Sequence, residues 1–246
     1  MSLAAAEAAS TEAIFAALEA TWPPHRWHEA PGWRVAEGAG GGKRVSSGLA
    51  VAERAEPAAL VAAQRALGQP ELAMIRPGDE ALDARLDTEG WRVIDPTVAL
   101  AAPVERLAEV PPHLTAFEVA WPPLAVQEEI WAGGGIGPAR LAVMERAAGP
   151  KIALLGRADD SPAATAYVAC HGRLGMVHAL EVRPEMRRKG VGRHLMQASA
   201  LWAARQGAGT LAVLVTSGNA PALALYRGLG MDEVAGYHYR LREESP

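Results

Sequence analysis

The sequence of 246 residues contains a single cysteine, Cys170, and this scarcity limits the chemistry it can perform. One cysteine allows neither an intrachain disulfide nor a cysteine-based metal cluster, which fits a reducing, cytoplasmic setting. The seven histidines include no H-x-x-x-H pair, so we predict no metal site. No apolar run approaches the ~20 residues of a membrane span. The alanine-rich start has interspersed glutamates and no preceding basic segment, which predicts an amphipathic helix and not a signal peptide.

An excess of positive charge is also lacking. Lysine and arginine number 24 against 28 aspartates and glutamates, a formal net charge of −4. Nonspecific nucleic-acid binding needs a broad basic surface, so we expect no nucleic-acid partner. Half of the residues are hydrophobic and 21% are charged, which is typical of a soluble globular enzyme.

The distribution of prolines suggests two halves. We predict a first domain over residues 1–110, a proline-rich linker over 111–123 and a second domain over 124–246. In the first half, a strand is expected over Arg44–Val51, after the glycine-rich bend EGAGGGK, and a strand break at Asp95-Pro96. The second half predicts a hairpin sheet followed by a β-α-β-α-β run.

A weak internal repeat supports these two halves. Residues 76–91 and residues 216–231 both predict a turn, a short helix and a glycine leading into a strand. The paired positions are Gly78 with Gly218, Asp79 with Asn219, and Gly90 with Gly230. Chance similarity of two turn-helix-turn units is the alternative, and we favour a duplicated architecture.

Positive charge is concentrated in one short segment, EVRPEMRRKGVGRHLM, residues 181–196. Its R-x-x-G-x-G order, residues 187–192, follows a predicted strand and opens a predicted helix. The first N–H groups of a helix have no intrahelical partner and carry partial positive charge. Glycines allow a phosphate to approach the backbone, and arginines pair with its oxygens. The segment therefore predicts a pyrophosphate cradle, with a solvated basic helix start as the alternative.

A second motif follows the next predicted strand. The sequence reads N-x-x-A-x-x-L-Y-x-x-L-G-M from Asn219 to Met231. Together with the strand end L-E-V-x-P, residues 180–184, and R-x-x-G-x-G, this order and spacing resembles the GNAT superfamily of acyl-CoA-dependent N-acyltransferases. The resemblance covers about residues 176–234. It implies an α/β (α+β) fold of two GNAT-like domains, each a mixed, mostly antiparallel sheet flanked by helices.

The resemblance also implies the residues that hold acetyl-CoA. Backbone groups of Leu180 and Val182 would pair with the pantetheine arm, and Asn219 would form a hydrogen bond near it. The residues that would hold the pyrophosphate are Arg187, Arg188, Lys189, Gly190, Val191, Gly192 and Arg193. Those that would flank the cofactor are Ala222, Leu225 and Arg227.

Tyr226 would then lie beside the thioester sulfur. A phenol with a pKa of ~10 can supply a proton as charge builds on the leaving thiolate, although a packed amphipathic ring is the alternative. The amine acceptor needs a base, and Glu181 is our candidate, with an exposed structural glutamate as the other interpretation. His238 and Tyr239 are further candidates, because the strand LAVLVT before Asn219 lacks the glutamate that some relatives carry there.

The first half departs further from the family pattern. Leu86 stands where the repeat would place Tyr226, and no R-x-x-G-x-G precedes it. We interpret this half as a degenerate GNAT-like domain without an acyl-CoA motif, covering one side of the substrate cleft. The bend EGAGGGKRV lacks the Walker A spacing and predicts a hairpin turn. The glycine-rich segment 132–137 predicts either a mobile substrate loop or a plain linker.

We expect an N-acetyltransferase that moves an acetyl group from acetyl-CoA to a primary amine by direct transfer, through a tetrahedral intermediate, because Cys170 shows no activating relay. Acetyl-CoA is the expected cosubstrate, without a metal. The expected acceptor is a small-molecule or peptide amine. We expect no nucleic-acid or membrane partner, and we expect the protein to be a monomer or homodimer. The alternatives are a non-catalytic acyl-CoA-binding regulatory module, an acyltransferase that uses a longer acyl-CoA, and a nucleic-acid binder, which the net charge disfavours.

Overall fold

The computed structural model describes residues 10–243. Residues 1–9, in the predicted amphipathic start, and residues 244–246 lie outside the described part. The helices are α1 (Thr11–Thr21), α2 (Pro57–Ala66), α3 (Glu80–Thr88), α4 (Val104–Leu107), α5 (Ala125–Gly133), α6 (Pro138–Arg146), α7 (Val191–Arg205) and α8 (Ala220–Gly228). The strands are β1 (Arg26–Ala30), β2 (Trp33–Glu37), β3 (Gly48–Ala50), β4 (Leu72–Ile75), β5 (Arg92–Pro103), β6 (Ala116–Val119), β7 (Lys151–Ala158), β8 (Ser161–His171), β9 (Leu174–Val182), β10 (Thr210–Thr216) and β11 (Asp232–Leu241). Short 3-10 turns cover Lys43–Val45 and Pro184–Met186.

These strands join one mixed sheet in the order β1-β2-β3-β4-β11-β5-β10-β9-β8-β7-β6. The β3–β4 and β9–β10 pairs are parallel, and the other pairs are antiparallel. The predicted α/β (α+β) class, with a mostly antiparallel sheet flanked by helices, is therefore confirmed. Within residues 10–243, no helix is both long and apolar enough to cross a membrane.

The closing strands of the two halves are exchanged. In chain order, β4, α3 and β5 follow one another as β10, α8 and β11 do. Nevertheless β11 pairs with β4, and β5 pairs with β10. The two closing strands also pair with each other at the centre of the sheet. The sheet is thus continuous across the two predicted domains, and their boundaries stay a prediction.

The two units of the internal repeat form the same local structure. Asp79 and Asn219 are the N-cap residues of α3 and α8. Each donates its backbone N–H to the carbonyl three residues earlier, at 3.0 and 2.9 Å. Gly90 and Gly230 follow the two helices with φ of 81° and 75°, a conformation that favours glycine. This recurrence supports the duplicated architecture.

Apolar side chains form three clusters on the sheet. One face is covered by α4, α7 and α8, and the opposite face by α1, α5 and α6. The third cluster lies under α2 and α3 in the first half. The strands β7 and β8 contribute apolar side chains to both faces of the sheet, because successive residues of a strand point in opposite directions. Each fully buried leucine or isoleucine contributes roughly 1.5–3 kcal/mol by leaving water.

The predicted strand over Arg44–Val51 was wrong in extent. Lys43–Val45 is a 3-10 turn, closed by a hydrogen bond of 3.0 Å from Ser46 Oγ to the Gly42 carbonyl. The strand β3 is limited to Gly48–Ala50, and it pairs antiparallel with β2. The glycine-rich bend is therefore the connection of two antiparallel strands, in agreement with the predicted hairpin.

One further local prediction needs correction. The predicted break at Asp95-Pro96 does not end a strand, because Asp95 adopts a φ of 46° inside the continuous β5 and the register with β11 shifts there. The strand β6, which pairs with β7 at one edge of the sheet, lies within the predicted linker 111–123, and the linker itself stays a prediction. Within β6 only Glu118 is exposed, and the other three residues are partly buried.

Candidate active site

The sheet opens where β9 and β10 separate. The two strands pair in parallel from Leu174 and Thr210 as far as Val177 and Val213. Beyond this point Ala179 has a φ of 50°, at an irregularity in the β8–β9 register. Trp131 holds the bulge by donating Nε1–H to the Ala179 carbonyl at 2.7 Å. Consequently, the edge of β9 beyond the bulge has no paired strand beside it among the described residues.

A cavity of about 1150 Å³ occupies this gap and extends toward the first half of the chain. Its wall is formed by β9, β10, α8 and the start of α7 on one side, and by residues 41–44, 95 and 97 with β11 on the other. Small-molecule pockets are usually ~300–1,000 Å³, so this volume admits a long cofactor together with a second substrate.

The start of α7 presents backbone N–H groups to the cavity. Gly190 is its N-cap residue with φ of 80°, and Arg188 two residues earlier has φ of 67°. Left-handed residues alternating with ordinary ones turn successive N–H groups toward one side and form an anion-binding concavity. Gly192 allows α7 to approach α8, because a Cβ there would lie 3.1 Å from Leu225 Cδ2. This geometry fits a diphosphate.

Most of the predicted cofactor-binding residues line the cavity. They are Leu180, Val182, Arg187, Arg188, Gly190, Val191, Gly192, Arg193, Asn219, Ala222 and Leu225. Lys189 and Arg227 are outside this wall: Lys189 pairs with Asp159, and Arg227 Nη2 lies 3.7 Å from Glu233 Oε2. Their proposed contact with the cofactor therefore stays a prediction.

Asn219 has a structural role in addition to its place on the cavity wall. Its Oδ1 accepts a hydrogen bond of 3.2 Å from the Ala222 N–H and caps α8. This is the usual contribution of asparagine at a helix start. The side-chain NH₂ group is then the part of Asn219 that remains for a ligand.

Tyr226 lies on the cavity wall in the last turn of α8. Its ring is only 7% exposed and belongs to the same apolar cluster as Leu223 and Met231. Burial raises the pKa of Tyr226 to about 12. The phenol therefore keeps its proton at neutral pH and can act as a hydrogen-bond donor in the cavity.

Glu181 also lines the cavity, next to the glycine-rich segment 132–137. Its Oε1 lies 3.5 Å from Arg187 Nη2. Gly134 leaves the space that Glu181 occupies, because a Cβ there would lie 2.5 Å from Glu181 Cδ. The predicted base and one predicted pyrophosphate ligand thus form a single ion pair.

The two alternative bases on β11 have different positions. Tyr239 lines the cavity, whereas His238 does not, and His238 Nε2 lies 2.8 Å from Asp83 Oδ1. Neighbouring residues of a strand point to opposite faces, which explains the difference. Burial raises the pKa of Tyr239 well above its ordinary value.

His178 is a cavity residue with a structural environment. Its Nε2 lies 2.9 Å from Thr21 Oγ1, and the threonine hydroxyl donates to the Ala17 carbonyl at 2.7 Å. Since that hydroxyl has one hydrogen, His178 must donate from Nε2. Burial, followed by the charge of Arg44, lowers the pKa of His178 well below its ordinary value, so the imidazole is neutral.

Sequence reasoning missed a polar cluster at the other end of the cavity, which we name the acceptor-end cluster: Lys43, Arg44, Asp95, Thr97 and Tyr237. Arg44 Nε donates to the Tyr237 hydroxyl at 3.2 Å, and Lys43 Nζ lies 2.6 Å from Asp95 Oδ2. Burial alone would raise the pKa of Tyr237, but the charge of Arg44 and the hydrogen bonds to Tyr239, Arg44 and Thr97 together outweigh it, and the pKa is lowered. The period of two along β11 could have identified Tyr237 from its neighbour Tyr239. The sequence carries no comparable signal for Arg44.

Comparison with known proteins finds a family model for part of the chain, one partial relative and solved structures of the same fold. A family model described as "Acetyltransferase (GNAT) family" matches residues 114–231. Streptothricin acetyltransferase from Streptomyces lavendulae is 46% identical over 68 residues, 28% of this chain. That match spans about a third of the relative's length, 35%.

Two solved structures resemble almost the whole chain. A GCN5-related N-acetyltransferase from Kribbella flavida has a TM-score of 0.63 at 21% identity, covering 100% of this chain and 97% of its own. A functionally unknown conserved protein from Staphylococcus epidermidis ATCC 12228 has a TM-score of 0.67 at 8% identity, covering 91% and 96%. A tandem GNAT protein from the clavulanic acid biosynthesis pathway has a TM-score of 0.55 at 15% identity, covering 77% and 65%. At these identities the structures show a shared fold.

Proposed function

We propose, from the match of residues 114–231 to the acetyltransferase (GNAT) family, that the protein is an N-acetyltransferase that moves an acetyl group from acetyl-CoA directly to a primary amine. One observation carries the proposal. The N–H groups at the start of α7, the gap between β9 and β10, and Tyr226 all meet in one cavity. The family match supports acetyl transfer, and the cavity supports the form of it that we propose.

Acetyl-CoA would supply an activated acetyl thioester. In this proposal, Arg187, Arg188 and Arg193 hold the diphosphate together with the N–H groups at the start of α7. Backbone groups of Leu180 and Val182, on the unpaired edge of β9, bind the pantetheine arm in place of a neighbouring strand. A chain bound in this way is held by hydrogen bonds that any peptide-like amide can form.

Tyr226 would stabilise the charge that develops on the leaving sulfur. A thiol has an ordinary pKa of ~8.5, whereas the pKa of Tyr226 is about 12. Complete proton transfer from Tyr226 to the thiolate would therefore be unfavourable by roughly 5 kcal/mol. Tyr226 acts mainly as a hydrogen-bond donor, and the proton that the amine loses must reach the sulfur within the same turnover.

Glu181 remains our proposed acceptor of the amine proton. Its ion pair with Arg187, at 3.5 Å, would weaken when a diphosphate competes for the guanidinium. Binding of the cofactor would then free the carboxylate for the amine. The neutral His178 is a poorer candidate, because burial lowers its pKa well below the ordinary value and so disfavours the imidazolium that would form.

The first half would serve the second without an acyl-CoA site of its own. We propose a tandem, duplicated architecture with domains at 1–110 and 124–246, in which Leu86 replaces the tyrosine of the active half. The exchange of β5 and β11 and the recurring N-caps support the duplication. A cytosolic location is part of the same proposal and rests on the lone, free Cys170.

The test is release of CoA thiol from acetyl-CoA with a panel of primary amines, alongside calorimetry of CoA binding. The proposal predicts CoA binding and amine-dependent thiol release with an acetylated product. CoA binding without transfer to any amine would instead support a non-catalytic acyl-CoA-binding module. Faster transfer from butyryl-CoA than from acetyl-CoA would support a longer-chain acyltransferase.

A further inference from the structure

Arg44 brings a positive charge to the cavity wall without an acidic partner. Among residues 10–243, its hydrogen bond is the one from Nε to the Tyr237 hydroxyl at 3.2 Å, and it takes part in no ion pair. A guanidinium also carries N–H donors on both Nη atoms, and these remain for a ligand. Since a charge removed from bulk water is normally paired, an anion is expected to complete this arrangement.

The carboxylates that line the cavity and the adjoining recess form ion pairs with other cations, and for Glu181 this cation is Arg187. Glu19 lines a small recess beside Arg44, but its two oxygens lie 3.3 Å from Arg34 Nη1 and 2.8 Å from Arg76 Nη1. Asp95 forms its ion pair with Lys43 at 2.6 Å. Neither acid therefore neutralises Arg44.

The acceptor end of the cavity carries an excess of positive charge. Lys43, Arg44 and Arg140 line it, against one carboxylate, Asp95. Arg140 takes part in no ion pair within the described part of the chain, and its Nη2 lies 3.4 Å from where a Cβ of Gly42 would stand.

Tyr237 fixes how the guanidinium of Arg44 is presented. The hydroxyl occupies the Nε side at 3.2 Å, which leaves the edge formed by Nη1 and Nη2. Two parallel N–H groups on one edge of a planar guanidinium match the two oxygens of a carboxylate. A carboxylate can thus accept a hydrogen bond on each of its oxygens from this edge.

Arg44 also lies close to the proposed site of acetyl transfer. Trp22 lines both this cavity and the small recess beside Arg44, and its ring centroid lies 5.0 Å from that of His178 on β9. His178 and Leu180 flank the bulge at Ala179, and both line the cavity wall. An anion bound to Arg44 and an amine at the thioester can therefore belong to one small molecule.

We propose that Arg44 is the carboxylate-binding residue of the acceptor site, and that the acceptor is a small primary amine carrying a carboxylate a few bonds away. This inference rests on the proposed function, because it assigns the second substrate of that reaction. The surrounding positive charge also disfavours an ammonium ion and so favours the neutral amine that attacks the thioester.

Matched acceptors test the inference. The probes are β-alanine, 4-aminobutyrate and 6-aminohexanoate, each compared with its own carboxamide in the thiol-release assay. We expect kcat/KM for the best acid to exceed that of its amide by about 10- to 100-fold, the range of a charge-assisted hydrogen bond. Arg44→Gln should bring this ratio close to unity. Arg54→Gln, which changes an exposed arginine outside the cavity wall, should leave the ratio unchanged.

Calorimetry of the CoA-loaded protein with the same amino acids measures their binding affinity without turnover. Binding that Arg44→Gln abolishes and Arg54→Gln retains supports the inference. Equal kcat/KM for acid and amide, or tighter binding of inorganic phosphate than of the acids, overturns the inference while the proposed function stands. Failure to bind CoA and to acetylate any amine overturns the proposed function itself. If Arg44→Gln does not fold, the inference is tested by the ratio of kcat/KM for the acid to kcat/KM for its amide in the wild type. Arg44→Lys should lower that ratio.

Discussion

Removal of the Tyr226 hydroxyl separates its chemical role from its packing role. Tyr226→Phe keeps the ring that packs against Leu223 and Met231. Within the described residues the hydroxyl forms no protein hydrogen bond, so its loss leaves no buried partner unsatisfied. We expect the free energy of unfolding to change by less than about 1 kcal/mol.

The expected loss of activity is much larger. A donor that stabilises charge developing in the transition state typically contributes about 2.7–4 kcal/mol, or ~10²–10³ in kcat. The KM for acetyl-CoA should change little, because the proposed diphosphate contacts lie at the start of α7. With a pKa of about 12, Tyr226 stays protonated through the usual assay range, so kcat of the wild type should show no loss from Tyr226 between about pH 7 and 10.

Thiol release at saturating acetyl-CoA, with CoA affinity measured by calorimetry, checks this prediction. Tyr167→Phe is the matched control: Tyr167 is fully buried, and its hydroxyl donates to the Met144 carbonyl at 3.1 Å, outside the cavity wall. That variant should lose about 1 kcal/mol of stability and keep its kcat while folded. A folded Tyr226→Phe protein with the kcat of the wild type would refute the role that we assign to the phenol.

Three further predictions follow from the same geometry. Gly190→Ala should weaken CoA binding in calorimetry and lower stability by about 1–2 kcal/mol, because φ is 80° there. Gly207→Ala is the control: Gly207 has a φ of 84° but lies outside the cavity wall, so this variant should lose similar stability and keep its affinity for CoA. Equal loss of CoA affinity in both variants would contradict the predicted pyrophosphate cradle. Because burial lowers the pKa of His178, the unfolded chain takes up a proton at this histidine that the folded chain does not. The free energy of unfolding should therefore fall as pH drops below the ordinary pKa of 6.5, by up to about 1.4 kcal/mol per pH unit. His178→Gln should reduce this pH dependence in melting curves. The hydrogen bond from Arg240 lowers the pKa of Asp83, so stability should decrease as pH falls below the ordinary 3.8, and an Asp83→Asn protein with the same acid slope would contradict that assignment.

The start of α7 and the start of α8 could be predicted from sequence because local rules specify them. Glycine at position 190 is required by a left-handed N-cap, and an asparagine at 219 supplies a cap that its own helix uses. Each signal acts over a few residues. The starts of these two helices were therefore accessible without knowledge of the rest of the molecule, and the diphosphate role of the residues at the start of α7 stays a prediction.

The strand exchange and the acceptor-end cluster could not be predicted in this way. Pairing of β5 with β10 and of β11 with β4 depends on contacts between distant parts of the chain, and strand alternation alone does not choose a partner. Arg44 reaches the cavity because a 3-10 turn replaces the start of the predicted strand. Its partner Tyr237 is 193 residues away in sequence.

A crystal structure of the protein with CoA is the most direct measurement of the central claim. We predict the diphosphate at the N–H groups that begin α7, the pantetheine arm between β9 and β10, and the sulfur within hydrogen-bond reach of the Tyr226 hydroxyl. CoA bound at another surface, or a thiol that ends far from Tyr226, would contradict the account.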